Sequence, residues 1–520
     1  MSERYPNYFY AGIALLFVLI GFVVNVSSIP LFDVDEGAFS EATREMLASN
    51  IWSATYLDGE PRYDKPILTY WIQAIMVKLF GLNELGLRLH SVCAAILWML
   101  ASAIFCRQYV NDKSAWFFVC IFSSTLWITL IGRAATADAL LNLFIALSFF
   151  DIYRFTKQQQ KKYALRAWLW MSLGVLTKGP VAAAIPVIAS LIWLISLNRS
   201  SIWLAALKMP LGWMIFLSVI TPWLFMVWQE QGSGFFYGFL VEHNLNRFAT
   251  AKEGHGGAWY YYLIILPLII LPYSGLLIPL FGTIKLLWKR PFERLLLIWF
   301  FLVLFLVSIA QTKLPHYILY GVTPLIILFA KHRFLLASSN WQVLAPLAFC
   351  AIQITLVVIA PNLAAQQNNL YQQEMLANAD QVFSKTYLYA SVALTIAVLC
   401  IFLTHRPGWQ KLLGCGILQT LFCYIFLLPS LADIQQTPIK QAALYSKNIQ
   451  APFVAYKMHM PSFSLYREAI TARRAPALGD YVYTRADRMQ SLQALFPTTE
   501  LNIIYQSGGI RIVQIPHQEP

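Results

Sequence analysis

Charge is what this sequence has least of. Asp, Glu, Lys and Arg make up 12% of its 520 residues, about half the roughly 25% of a soluble domain, while 58% are hydrophobic. A conventional soluble fold is thereby excluded. Cysteine is missing wherever it could form an external framework: Cys93, Cys106, Cys120, Cys350, Cys400, Cys415 and Cys423 all fall within or at the edges of apolar runs. Neither a disulfide scaffold nor a thiolate metal site is suggested. The HExxH signature is also absent, so a compact zinc site has no sequence support.

What the chain has in abundance is long apolar runs. Crossing the hydrocarbon takes about 20 mostly apolar residues, and about thirteen stretches qualify. They centre in residues 8–30, 84–107, 114–131, 136–155, 163–177, 180–198, 203–229, 259–287, 293–311, 314–331, 341–361, 384–404 and 409–430. The fold class expected is an all-α polytopic membrane protein. The first run follows Arg4 and lacks a small-residue cleavage site, so it reads as a retained anchor with a cytoplasmic N-terminus. Every short loop then assigned inside carries cations, among them Lys113, Lys161, Lys162, Lys208, Lys289, Lys331 and Arg406. That is the positive-inside pattern. It accounts for the net charge of +13 without nucleic-acid binding.

Thirteen spans place loops 31–83 and 230–258 outside, with everything after Leu431. From there strand-like and helix-like patterns alternate, with Ser507-Gly508-Gly509 as a hairpin turn. The expected organisation is a membrane domain over 1–431 and a small external α/β domain over 432–520.

The polar stretch Phe32–Trp71 stands out against this background. It carries Asp35 and Glu36 where the chain leaves the bilayer, an amphipathic segment with Ala38, Ala42, Met46 and Leu47 on one face, and then Asp64-Lys65-Pro66. An ordinary capped helix explains Asp35 alone, but not the bracketing of such a segment by carboxylates and a lysine. Cations left on the outer side are informative because they do not set orientation. Lys65, Arg247 and Lys313 lie in the dense polar contexts YDKP, VEHNLNRF and QTKLPHY, and three cations on one face suggest an anionic ligand, with phosphate the natural candidate. Arg88 and Arg133 read as paired or snorkelling cations. Asp138 is read either as the partner of Arg133 or as a site residue, and Lys178-Gly179-Pro180 as a tight hairpin before a phosphate contact. Glu242 and His243 approach from the other external loop, whose Phe235, Phe236, Phe239 and Leu240 suggest a segment lying in the membrane interface.

These motifs together resemble the first external loop of bacterial GT-C glycosyltransferases of the protein O-mannosyltransferase type, in particular the aminoarabinose transferases that modify lipid A. The family pattern has an Asp-Glu pair after the first membrane helix, an "EMLASG" segment and an acidic-Lys-Pro-Pro motif. Here these are Asp35-Glu36, EMLASN over 45–50 and Asp64-Lys65-Pro66, with Ile67 in place of the second proline. FLVEHNLNRF and KLPHYILYGVTPLIIL match two further blocks, so the resemblance runs over most of residues 30–330. It implies a polyprenyl (undecaprenyl) phosphate sugar as donor, used at the outer face of the bacterial inner membrane. The acceptor would be lipid A or another envelope molecule, a glycan or a protein. Asp35 would be the catalytic or site-organising carboxylate and Glu36 its partner. Lys65, Arg247 and Tyr317 would contact the donor phosphate, joined by Lys313 on its context. Asp138 matches an acidic position near the donor. Asp64 matches an acidic position associated with a divalent metal, the one candidate cofactor.

The chemistry is consistent with that implication. Displacing a polyprenyl phosphate from an anomeric carbon builds charge on the leaving phosphate, which fixed cations stabilise where water is scarce. An attacking hydroxyl needs a base on the opposite face, whereas an anionic acceptor does not. The main rival, a lipid or sugar transporter, would place its charges at the bilayer midplane and show repeated halves. These charges cluster on one face instead, and no repeat is evident. The threading makes a direct prediction: a topology reporter fused after Leu431 is active outside and one at Gln159 inside. A cytoplasmic C-terminus would overturn it.

Overall fold

The computed structural model describes residues 7–246, 256–337 and 339–517. It is a bundle of apolar helices carrying a small mixed domain at the C-terminus. Among the described residues seven helices are long and apolar enough to span a membrane, or up to nine if each of two bent pairs is one span. The chain is a multi-pass membrane protein, but the count of thirteen is not reproduced. The expected runs are present as helices that are often short or broken. The run at 114–131 becomes α5 (Asp112–Phe122) and α6 (Leu126–Arg133), bent by 70°. That at 259–287 bends by 118°, and that at 314–331 starts as a 3-10 turn, Pro315–Gly321, before the helix Val322–Lys331.

Helix α1 (Asn7–Phe22) ends in turns, and α2 (Asp35–Ser49) follows as the amphipathic segment expected, closed by Asn50 in the left-handed conformation. A two-residue hairpin, β1 (Tyr56–Leu57) and β2 (Glu60–Pro61), turns on Asp58 and Gly59, both at positive φ. This is the Asp-Gly chemistry that a tight primed turn requires. Glu45 of α2 accepts from the backbone nitrogens of Asp58 and Gly59 at 2.7 and 3.2 Å, which fixes the hairpin to the helix. Helices α3 (Leu68–Phe80) and α4 (Glu84–Tyr109) return the chain to the bundle. After α6 come α7 (Asp138–Gln158), α8 (Lys161–Lys178), α9 (Val181–Ser196), α10 (Ser200–Leu207) and α11 (Pro210–Phe236). The last is kinked at Gly232, φ 61°, and runs on into a π-helical segment, Tyr237–Leu245. The first half of the expected 230–258 loop is therefore helical. Phe235 and Phe239 are buried there while Tyr237 and Leu240 are exposed.

The C-terminal segment forms a four-stranded sheet in the order β3-β4-β6-β5. Strands β3 (Phe453–Ala455) and β4 (Tyr481–Arg485) are parallel, and β5 (Asn502–Ser507) and β6 (Ile510–Gln514) form a hairpin through Gly508 and Gly509. Its short helix Ser462–Arg467 docks on the first external loop. The Ser462 nitrogen donates to Asp33 at 3.1 Å and its hydroxyl to the other Asp33 oxygen. Ser464 donates to Asp58 at 2.9 Å and Tyr466 to Glu84 at 3.1 Å. The approach is close: a Cβ at Gly37 would lie 1.9 Å from Asp33 Oδ1 and 2.7 Å from the Ser462 nitrogen.

Burial in this contact pushes the Asp33 carboxyl up to about 7, against the lowering effect of the Ser462 hydrogen bonds, with Glu36 and Asp58 adding to the rise. Burial likewise pushes Asp58 up to about 6. An acid whose folded-state pKa is raised binds more protons folded than unfolded between its two pKa values, so stability falls as pH rises through that interval. For Asp33 the interval runs from 3.8 to about 7. Thermal unfolding of the purified chain is therefore expected to become easier across that range. Asp33→Asn, which can still accept from Ser462 but cannot ionise, flattens the dependence; an unchanged pH profile in that variant would contradict the assignment.

Candidate active site

The site begins with a buried ion pair. Glu36, in the first turn of α2, takes both Arg88 Nε and Nη2, at 2.9 and 2.8 Å. Its remaining oxygen positions accept from the backbone nitrogens of Phe32 at 2.9 Å and Ala135 at 2.7 Å. Burial opposes ionisation of Glu36, but the Arg88 charge and these hydrogen bonds hold its carboxyl below the ordinary value. Arg88 uses its other N–H groups on the carbonyls of Val26, Ile29 and Pro30. Glu36, expected as the partner of Asp35, is thus fully engaged and buried. It joins the α1–α2 connection, α4 and the segment before α7.

That junction presents Asp35 to a cavity of ≈ 380 Å³. Asp35 is exposed, and among the described residues no hydrogen bond or ion pair engages it. Asp33, Asp64, Lys65, Asp138, Lys178, Thr312, His316 and Tyr317 line the same cavity. Lys65 Nζ lies 2.7 Å from Asp64 Oδ1, and Arg62 lies 3.3 Å from the other oxygen. Across the cavity Lys178 Nζ lies 2.6 Å from Asp138 Oδ1, which also accepts from the Tyr320 hydroxyl at 3.1 Å. His316 Nε2 is 3.8 Å from Asp138 Oδ2. Lys178 sits over the rings of Tyr317 and Tyr320 at 5.2 and 5.7 Å. Asp138 is therefore satisfied by Lys178, not by Arg133. The α8–α9 hairpin at Gly179, φ 95°, delivers that lysine from a distant part of the sequence.

A second cavity of ≈ 230 Å³ shares Asp64, Lys65, Lys178, Thr312 and Tyr317 with the first. Its other walls include Val181 and Ile185 of α9 and Val303, Leu306, Val307 and Ala310 of the helix Pro291–Ile309 and its end. It is an apolar groove with a cationic mouth. His243 also lines it, from the π-helical segment, and Nδ1 lies 3.1 Å from Asp64 Oδ1. That nitrogen is buried and makes no hydrogen bond among the described residues. Asp64 is already met by the Lys65 ammonium on one oxygen and by Arg62 on the other, so Asp64 and His243 do not fit a divalent cation by themselves.

Of the residues expected at the site, Asp35, Asp64, Lys65, Asp138 and Tyr317 converge on the first cavity and His243 joins them at the second. Arg247 lies outside the described residues. Glu242 precedes His243 on the same segment but lines neither cavity. Lys313 does not face the site: its ammonium donates to the carbonyls of Ser308, at 2.7 Å, and Ala310, capping the end of the helix Pro291–Ile309. A lysine just past a helix C-terminus finds free carbonyls there, so the assignment to donor phosphate is withdrawn. Lys178, by contrast, lines both cavities. His316 and Asp33 were not singled out, although each adjoins a residue that was.

Residues 64–228 match a family described as dolichyl-phosphate-mannose-protein mannosyltransferase. The chain is 29% identical over 360 residues to the undecaprenyl phosphate-alpha-4-amino-4-deoxy-L-arabinose arabinosyl transferase of Erwinia tasmaniensis, covering 68% of this chain and 64% of that protein. It is 28% identical over 441 residues to the protein of the same name from Enterobacter sp. strain 638, covering 80% and 75%. The first match thus spans less than two thirds of the relative's length. The crystal structure of ArnT from Cupriavidus metallidurans bound to undecaprenyl phosphate superimposes with a TM-score of 0.81 over 97% of both chains, at 18% identity. The fold is therefore the GT-C fold of that protein, and the resemblance to GT-C aminoarabinose transferases read from the motifs is borne out.

Proposed function

We propose that this chain is an integral membrane glycosyltransferase that moves one sugar from an undecaprenyl phosphate donor to lipid A, with inversion, on the periplasmic face of the inner membrane. The names of the relatives and the undecaprenyl phosphate held by the Cupriavidus protein support the donor class. The observation that carries the reading is the join between the two cavities: an exposed carboxylate faces two lysines, and those lysines stand at the mouth of an apolar groove. A phosphate on a long isoprenoid tail has the two properties this arrangement complements. Neither a soluble nucleotide sugar nor a transported solute needs the groove.

In this mechanism the donor phosphate binds between Lys65 and Lys178, with Tyr317 beside it and the tail along Val181, Ile185, Val303 and Val307. The anomeric C–O bond breaks with its electron pair leaving on the phosphate oxygen, where the two ammonium groups stabilise the developing charge. An acceptor oxygen forms the new bond from the opposite face, on the Asp35 side. If that oxygen belongs to a hydroxyl, its proton passes to Asp35; if it belongs to a phosphate there is no proton to remove, and Asp35 orients the reactants. The domain over 432–520 then lies in the periplasm and buttresses the loop bearing Asp35.

Substitutions separate these roles. Lys65→Ala is expected to lower transfer by about 10²- to 10³-fold, the range for removing one group that stabilises developing charge, whereas Lys289→Ala, on a cytoplasmic loop, changes it little. Asp35→Asn lowers transfer to a hydroxyl acceptor by about 10²- to 10⁴-fold, with a smaller and pH-independent loss when the acceptor is a phosphate. Steady-state kinetics with purified protein reads both. Parental rates in Asp35→Asn with either acceptor would sink the proposed geometry.

A further inference from the structure

Binding the donor phosphate through Lys178 engages one oxygen of Asp138 and leaves the other. Oδ1 takes the Lys178 ammonium at 2.6 Å and the Tyr320 hydroxyl at 3.1 Å. No hydrogen bond among the described residues reaches Oδ2, which has His316 Nε2 3.8 Å away. That is too far for a hydrogen bond, which needs about 2.7–3.2 Å between heavy atoms. The ring nitrogens of His316 make none among the described residues either. The Asp138 and His316 side chains both line the first cavity and are 5% and 12% exposed, so the gap between Oδ2 and Nε2 lies on its wall.

Both groups are held by the elements that carry them. Asp138 opens α7, where a carboxylate is favoured by the helix N-terminus, and the two contacts on Oδ1 keep the carboxyl from turning. His316 follows Pro315 in the 3-10 turn Pro315–Gly321, whose proline presets the backbone. Its imidazole meets the Tyr317 ring edge-on at 4.9 Å, and Tyr317 stacks on Tyr320 at 6.0 Å. Tyr320 is also the donor to Asp138, so carboxylate and imidazole belong to one framework. The carboxylate facing Nε2 favours the tautomer with the ring proton on that nitrogen. An acceptor and a donor then stand 3.8 Å apart. An oxygen about 2.7 Å from one and about 2.8 Å from the other sees them at roughly 90°, which suits a hydroxyl that donates to the carboxylate and accepts from the ring. A C–H group meets neither, and an N–H group can donate to Oδ2 but accepts nothing from Nε2–H.

We propose that Asp138 and His316 together hold the donor sugar's hydroxyl on the carbon next to the anomeric centre, and so select sugars that carry it free over deoxy and acylamino sugars. This subsite rests on the glycosyl-transfer reading for where the donor lies. The two Asp138 oxygens belong to one carboxyl group, so a hydroxyl on Oδ2 sits close beside the phosphate held by Lys178, and the sugar hydroxyl nearest that phosphate is the one on the neighbouring carbon. Its contact also matters during the reaction. As positive charge develops at the anomeric carbon the hydroxyl becomes a better donor, and its bond to a carboxylate strengthens.

The test is a binding measurement on the full chain in nanodiscs, by native mass spectrometry, with two probes: undecaprenyl phosphate–linked aminoarabinose and its counterpart lacking that hydroxyl. The parental protein should bind the hydroxylated donor about ten- to a hundred-fold more tightly, the range for a hydrogen bond to a charged group. This comparison needs no variant. His316→Phe keeps the ring volume and loses both nitrogens, so the preference should fall by about three- to ten-fold, as for one neutral hydrogen bond. His316→Gln can still donate and should keep part of the preference, which a loss of packing alone would not restore. Bound undecaprenyl phosphate, which carries no sugar, shows that each variant is folded. Equal binding of the two donors by the parental protein, binding of neither, or an intact preference in folded His316→Phe would overturn the subsite. Failure of the functional reading looks different: a chain that binds the donors with this preference yet transfers no sugar keeps the subsite and loses the reaction.

Discussion

The Glu36–Arg88 pair is the interaction on which the rest of the site depends. Both side chains are withdrawn from water, and a buried pair is stabilising only when its remaining hydrogen-bonding capacity is filled. Here it is filled by five backbone groups: the Phe32 and Ala135 nitrogens on Glu36, and the carbonyls of Val26, Ile29 and Pro30 on Arg88. Removing one member would leave a buried charge alone, at a cost of roughly 3–5 kcal/mol. The pair ties together the end of α1, the start of α2, α4 and the turn before α7. Asp35 and Asp138, at the starts of two of those elements, are placed by it without touching it.

A second level of order comes from charges that neutralise one another while remaining available. Asp138 holds Lys178 through a short contact and is itself steadied by Tyr320, so the lysine keeps its charge at the cavity wall. Asp64 does the same for Lys65 from the opposite side. An anionic headgroup entering between them meets two cations already in position, which limits the reorganisation needed as charge develops. The apolar groove behind them gives a lipid tail somewhere to go.

Much of this was legible in the sequence, for identifiable reasons. Asp35, Asp64, Lys65 and Tyr317 lie in polar stretches set off by apolar runs, and a cation on the outer face stands out because orientation does not require it. The helices were visible as apolar runs, and the C-terminal strands and their Gly508-Gly509 turn as alternation and turn residues. The errors share one cause, that a long side chain's partner is chosen in three dimensions. Lys313 resembles Lys65 in sequence context, yet it bends back onto the carbonyls of the helix it follows. Arg133, five residues before Asp138, looked like its partner, but α6 points it at Tyr424 while the α8–α9 hairpin brings Lys178 to Asp138 from forty residues away. The count of thirteen spans is not reproduced among the described residues, because several of the apolar runs form helices that are short or bent.

The central claim is that Asp35, Lys65 and Lys178 surround a sugar leaving a lipid monophosphate. The measurement closest to that claim is mass spectrometry of the lipids after purified chain is incubated with undecaprenyl phosphate–linked aminoarabinose and lipid A. The account predicts free undecaprenyl monophosphate together with lipid A heavier by one sugar, and loss of both products in Lys178→Ala. Donor recovered intact with lipid A unchanged, in protein that binds both lipids, would contradict it.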